Sequence, residues 1–211
     1  MYNERKNHWE NVYHTKTPNE VSWTQLKPQT SLTLIEACSP ALSAPIIDIG
    51  GGDSLLADHL LELGFSDITV LDISGKALER AKERIGEKAK LVTWIESDIT
   101  EFEPNRSYSI WHDRATFHFL TNEEEIIRYQ NLVTKYVTDN VLIGTFSTSG
   151  PLKCSGLEIS QYNSDSLIAL FQPEFKLIDS FTENHTTPFA TEQNFVFGSF
   201  VKNKIPHNYL T

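Results

Sequence analysis

The chain has 211 residues and a formal net charge of -10, from 18 Lys and Arg against 28 Asp and Glu. That length suits one α/β domain with a sizeable core. The acidic balance argues against general binding to nucleic-acid phosphates or to anionic membrane surfaces. Cys38 and Cys154 lie far apart and in no metal-like spacing, which disfavours a disulfide scaffold and fits a reducing compartment. The start MYNERKNHWENVY has no apolar leader and no run is long enough to span a bilayer, so the expected location is the cytoplasm.

Residues 1–30 are polar and aromatic, and Pro18 and Pro28 break them into short pieces. Ser31 is placed to cap a helix, SLTLIEAC, ending before Pro40. From residue 45 onward, strands and helices alternate. PIIDIG (45–50) reads as a buried strand, and SLLADHLLELG (54–64) as an amphipathic helix closed by glycine. A strand at 67–73, a helix at 74–86 and strands at 91–99 and 108–113 follow. A long helix at 123–137 opens on three acids that suit its dipole, and 140–147 is a fifth strand. A short helix at 164–172 then leads to two alternating segments, 175–181 and 194–201, which read as an antiparallel pair joined by a long loop. This order predicts a doubly wound, Rossmann-like, mostly parallel sheet of seven strands with a C-terminal antiparallel pair. The organisation expected is an N-terminal extension at 1–30 and a single catalytic domain at 31–211.

Gly50, Gly51 and Gly52 follow the first strand directly, where the chain can bend sharply and a ligand can lie against bare backbone. In open α/β sheets that edge binds ligands. Asp72 ends the next strand, 20 residues after Gly52, and a carboxylate there can accept hydrogen bonds from both hydroxyls of a ribose. An adenosine-containing cofactor is therefore expected. A nicotinamide-dependent oxidoreductase fits less well. Leu55 occupies the place where the dinucleotide fingerprint needs a small residue, and Asp48 would repel a pyrophosphate but suit a cation.

The run D-I-G-G-G-D-S resembles the first motif of the class I S-adenosylmethionine-dependent methyltransferases, with Asp48, Gly50 and Gly52 matching and Ser54 in place of the last glycine. The resemblance covers about residues 45–147 by motif, and the terminal strand pair extends it to about 201. It implies S-adenosyl-L-methionine as cofactor, with S-adenosyl-L-homocysteine as product. It implies that Asp48 and the glycine turn hold the methionine part and Asp72 the ribose. Asp98 would meet the adenine amino group, with Ile73 and Ile99 packing the ring. Trp9 and Tyr13, at i and i+4, resemble the aromatic lid over the cofactor in this family.

The fourth strand ends in IWHDRATFHFL, where His112, Asp113, Arg114 and His118 interleave with aromatics. A neutral histidine suits removal of a proton from an amine or thiol acceptor, which makes His112 or His118 the candidate base. Asp113 would orient the acceptor or an imidazole, and Arg114 would pair structurally with an acid. Trp23, Phe117, Cys154 and His185 are candidate acceptor contacts, and Gln193 shares the loop of His185. No metal site is expected. The acceptor is read as a small molecule, with a protein lysine as the alternative and a non-catalytic cofactor-binding module as a third reading. A nucleic-acid acceptor is disfavoured, because H-D-R-A stands where base methylases carry N/D-P-P-Y/F. The protein is expected to be a monomer or homodimer.

Overall fold

A computed structural model describes residues 2–203. Helix α1 covers Tyr2–Thr15 and stops ahead of Pro18, and α2 covers Gln29–Ala37. The alternating part then runs β1 (Ile46–Ile49), α3 (Leu56–Glu62), β2 (Ile68–Asp72), α4 (Gly75–Ile85), β3 (Val92–Glu96) and β4 (Tyr108–Arg114). It continues with α5 (Glu123–Tyr136), β5 (Val137–Phe146), the small hairpin β6 (Lys153–Cys154) and β7 (Leu157–Glu158), α6 (Ser164–Phe171), β8 (Phe175–Thr186) and β9 (Glu192–Lys202). Seven strands form one sheet in the order β3-β2-β1-β4-β5-β9-β8. The first five strands in that order pair parallel, while β9 runs antiparallel to β5 and to β8. The expected sheet is therefore present.

Local chemistry sets the element ends. The Ser74 hydroxyl accepts the Ala77 N–H at 3.1 Å and starts α4, whose Ala77, Leu78 and Ala81 are buried. Gly86, at φ 63°, lets the chain leave that helix. Asn122 caps α5 through the Glu125 N–H at 2.9 Å, beside three first-turn acids.

Strand parity divides the core. Ile47, Ile49 and Trp111 pack on one face of the sheet with Tyr129, Val133 and Phe200. Ile46, Ile110 and Leu142 pack on the other with Leu56, Leu60, Phe146 and Phe195. Each such buried side chain contributes about 1.5–3 kcal/mol. Where β1, β2 and β4 end, this alternation decides which polar side chains reach the edge cavity.

The start breaks at both prolines as expected, and its first piece is a helix of 14 residues that carries Trp9 and Tyr13. Two expectations need correction. Ser31 does not cap α2: the helix begins at Gln29, and Ser31 points its hydroxyl into the interior. The expected long loop at 182–193 is mostly strand. Its polar residues lie on an extended hairpin, with Asn184 opposite Asn194 and Thr186 opposite Glu192, so only a short turn remains.

Candidate active site

A cavity of ≈ 330 Å³ opens at the carboxyl ends of β1, β2 and β4. The glycine turn forms part of its floor. Gly50 and Gly52 have φ of +65° and +49°, in the region glycine favours, and a Cβ on Gly50 would overlap Thr116 Oγ1. A Cβ on Gly51 would lie 2.5 Å from Asp48 Oδ2, and one on Gly52 would lie 2.8 Å from the Tyr13 hydroxyl and 3.0 Å from Asp72 Oδ2. The turn is braced from α4: Arg84 donates to the carbonyls of Asp53 and Ser54, each at 2.8 Å, and pairs with Asp58 at 2.8 Å.

Acids crowd this end. Asp72 is 6% exposed, and its Oδ1 accepts the Ser74 N–H at 2.8 Å. Burial pushes its carboxyl up to about 7, and the nearby charges of Asp53, Asp48 and Glu10 add to the effect while the Ser74 bond opposes it. Asp53 is likewise raised by burial, with Arg80 at 3.6 Å and Arg84 pulling back. A buried carboxylate with one backbone partner, beside bare glycine backbone, fits a ligand that brings hydroxyl donors.

Asp98 differs. Its Oδ1 accepts the Thr100 N–H and hydroxyl, both at 2.9 Å, and Arg5 of α1 donates to Oδ1 and Oδ2 at 3.2 and 3.1 Å. The expected adenine partner lines the cavity beside Ile73 and Ile99, but its oxygens already have donors. Arg5 also pairs with Glu125, and Lys6 pairs with Glu96. Glu10 accepts the N–H groups of Gly75 and Lys76 at 2.7 and 3.2 Å, at the N-terminus of α4. These bonds lay α1 along the ends of β2 and β3. Trp9 meets Trp23 and Phe119 edge-on at 5.7 and 5.0 Å, and Tyr13 lies beneath Arg80 at 5.8 Å.

His112, 4% exposed, bonds Asp48 Oδ1 through Nδ1 at 2.7 Å and Ser31 Oγ through Nε2 at 2.8 Å. The carboxylate accepts from Nδ1–H, which leaves Nε2 as the acceptor for the serine hydroxyl. Asp48, His112 and Ser31 all line the cavity.

Two other expected catalytic residues lie elsewhere. Asp113 is fully buried and outside the cavity lining. It accepts the N–H groups of Thr116 and Phe117 at 3.1 Å and the Tyr129 hydroxyl at 2.8 Å, so it braces the bend after β4. Burial raises it to about 6, opposed by those hydrogen bonds. His118 is also fully buried, stacked on Phe146 at 4.4 Å, with neither ring nitrogen bonded. Burial, helped by the charge of Arg114, pushes it down to about 3, so it stays neutral. Phe117 belongs to the core against Tyr129 and Tyr162. His185 donates to the Ser22 carbonyl at 2.7 Å and does not line the cavity. Trp23, Cys154 and Gln193 do line it, and burial pushes the Cys154 thiol up to about 11, which keeps it uncharged. Arg114 lines the cavity as well and does not pair with Asp113. Sequence reasoning missed Ser31, Arg5, Glu10 and the wall residues Phe146 and Phe195.

A methyltransferase-domain family model matches residues 46–135, the stretch that carries the glycine turn, Asp72, Asp98 and His112. Over that stretch the chain is similar to methyltransferase domains. Solved methyltransferases share the whole fold. A S-adenosylmethionine-dependent methyltransferase from Anabaena variabilis superposes with a TM-score of 0.74 at 14% identity, covering 96% of this chain and 95% of that one. The 1,6-didemethyltoxoflavin-N1-methyltransferase of Burkholderia thailandensis, solved with its acceptor and S-adenosylhomocysteine, gives 0.69 at 16% identity, covering 95% and 88%. By sequence, the mouse eEF1A lysine and N-terminal methyltransferase is 26% identical over 121 residues, 56% of this chain. The match spans only 17% of that longer protein. Among the described residues, no helix is long and apolar enough to cross a membrane.

Proposed function

We propose that this methyltransferase moves a methyl group from S-adenosylmethionine to a nucleophilic atom of a small molecule. The observation that carries the reading is the shared cavity, lined by Gly50, Gly51 and Asp72 and by the hydrogen-bonded chain Asp48–His112–Ser31. When bound, S-adenosylmethionine supplies a methyl carbon activated by its sulfonium and open to in-line displacement.

The protein's own residues supply the rest. Asp72 and the Gly50–Gly52 turn hold the ribose and methionine parts, and Ile73 and Ile99 flank the base. Tyr13 and Trp9, presented by α1 as a lid, place aromatic faces near a cation. His112 is the base. Asp48 fixes its tautomer, and its Nε2 takes up the acceptor proton directly or through the Ser31 hydroxyl. Holding the reacting groups in line, shielded by Trp23, Phe119, Phe146 and Phe195, provides the rate.

A small acceptor is favoured because α1 and the aromatic walls cover the cavity. A protein lysine is the second reading, supported by the name of the mouse relative. The unpaired Cys38 and Cys154 support a cytoplasmic location. Calorimetric titration with S-adenosylmethionine, S-adenosylhomocysteine and NADH tests the site, with Asp72→Ala as control. Micromolar binding of the two sulfur compounds, weakened in the variant, is expected. Absence of binding by both overturns the reading. Labelled-methyl transfer to small-molecule and protein fractions then separates the two acceptor classes.

A further inference from the structure

Three arginines line the cavity: Arg5, Arg84 and Arg114. The first two are neutralised, Arg5 by Asp98 and Glu125 and Arg84 by Asp58. Arg114 forms no ion pair with any described residue. Its Nη1 donates to the Trp23 carbonyl at 3.1 Å, its plane lies over the Phe195 ring at 4.9 Å, and its Nε is buried without a hydrogen-bond partner. In a chain with 28 acidic residues against 18 basic ones, a guanidinium with no described carboxylate at ion-pair distance is not short of available partners. It is being kept open at a cost, since a buried charge without a counter-charge is unfavourable.

Surrounding groups bear out the imbalance. Burial pushes Arg114 down to about 10, and the charges of Glu183 and Asp48, neither of them an ion-pair partner, offset it only in part. Burial, with the charge of Arg114 adding to it, lowers the neighbouring His118 and His185, so neither imidazole supplies a competing positive charge. Gln193 stands two residues before Phe195 on β9 and so shares its face of the strand. One end of its terminal amide, Oε1, is also buried without a partner and lines the same cavity.

We propose that the methyl acceptor carries a carboxylate, received by Arg114, with Gln193 bonding a donor group beside it and Trp23, Phe146 and Phe195 enclosing its apolar body. The guanidinium offers Nε–H to a carboxylate oxygen, a charge-assisted bond of the kind arginine favours. A single unneutralised cation matches one negative charge, which favours a monocarboxylate over a phosphate dianion. The carboxylate is the anchor, and the nucleophilic atom lies toward His112. This assignment rests on the methyl-transfer reading above.

The test uses the full chain saturated with S-adenosylhomocysteine. Benzoate, phenylacetate and hexanoate are titrated by calorimetry, each against its own primary amide, into wild type, Arg114→Met and Arg114→Lys. In wild type at least one acid is expected to bind roughly tenfold or more tightly than its amide. That preference should vanish in Arg114→Met and return in part in Arg114→Lys, with S-adenosylhomocysteine affinity held within about twofold. Equal binding of acids and amides by wild type overturns the assignment, as does a preference that survives Arg114→Met. Should Arg114→Met not fold, the wild-type and Arg114→Lys comparisons decide alone. Failure of wild type to bind S-adenosylhomocysteine would instead remove the methyl-transfer reading.

Discussion

Replacing Asp72 with asparagine should make the ligand-free protein more stable at pH 8 while weakening its hold on the cofactor. The Asp72 carboxyl is raised from 3.8 to about 7, chiefly by burial. A carboxyl raised in the folded state favours folding while protonated, so its contribution is fully present below pH 4 and is lost as pH rises through 7. At pH 8 the ionised group costs the fold on the order of 4 kcal/mol relative to an exposed aspartate. Asparagine does not ionise, and its carbonyl can still accept the Ser74 N–H that Asp72 accepts at 2.8 Å. Burying the amide N–H₂ takes back part of the gain, leaving on the order of 2 kcal/mol. For a chain of this length that is a rise in Tm of roughly 5 °C. Thermal melts of both proteins from pH 4 to 8 measure it, and the gap should widen with pH up to about 7 and then level. The amide offers one acceptor where the carboxylate offered two, so S-adenosylhomocysteine should bind roughly tenfold or more weakly. A gap that stays flat with pH, or an asparagine variant less stable than wild type at pH 8, would refute the reasoning.

His112→Gln is expected to lower kcat by roughly 10²–10⁴-fold, and Ser31→Ala by less, with cofactor affinity little changed. Single-turnover transfer of labelled methyl measures this, and unchanged turnover in His112→Gln removes the base from the mechanism. Gly50→Ala should abolish cofactor binding, because the new Cβ would overlap Thr116 Oγ1 at a φ of +65°; retained calorimetric affinity would show that the turn can shift. Glu10→Gln weakens the hold of α1 on the N-terminus of α4, at about 1 kcal/mol. Trypsin should then nick the ligand-free chain near Arg5, Lys6 and Lys16 about fivefold faster, and cleavage at the wild-type rate would show that α1 is held elsewhere.

The alternating order of strands and helices was readable because the first three parallel strands are short runs that end at glycine or an acid. The positions of Asp48, Asp72 and Asp98 came with it, since each follows directly from where its strand stops. Asp113, expected to orient the acceptor or an imidazole, instead accepts bonds from Thr116, Phe117 and Tyr129, and strand parity explains why. Adjacent residues on β4 point to opposite faces. Trp111 and Asp113 meet Tyr129 on the α5 side, while His112 turns to Asp48 and Ser31 on the other. Ser31 resembled a helix cap because nothing local reveals a partner 81 residues away. Helix α1 showed in the sequence only as the i, i+4 spacing of Trp9 and Tyr13, because it is held largely by Arg5, Lys6 and Glu10 rather than by a continuous apolar stripe.

The acids at the sheet edge look equivalent in sequence, and their partners make them different. Asp98 has Arg5, Asp53 has Arg80, and Asp48 has His112. Asp72 has the Ser74 N–H and no cation. A neutralised carboxylate gains little from a new donor, whereas one that is desolvated and short of donors gains most. The same reasoning separates Arg114 from Arg5 and Arg84 at the acceptor side. The cavity thus holds one acid, Asp72, with neither a cation nor a side-chain donor among the described residues, and one base, Arg114, without an ion-pair partner. On the reading proposed above, those two groups, rather than the total of -10, choose what binds.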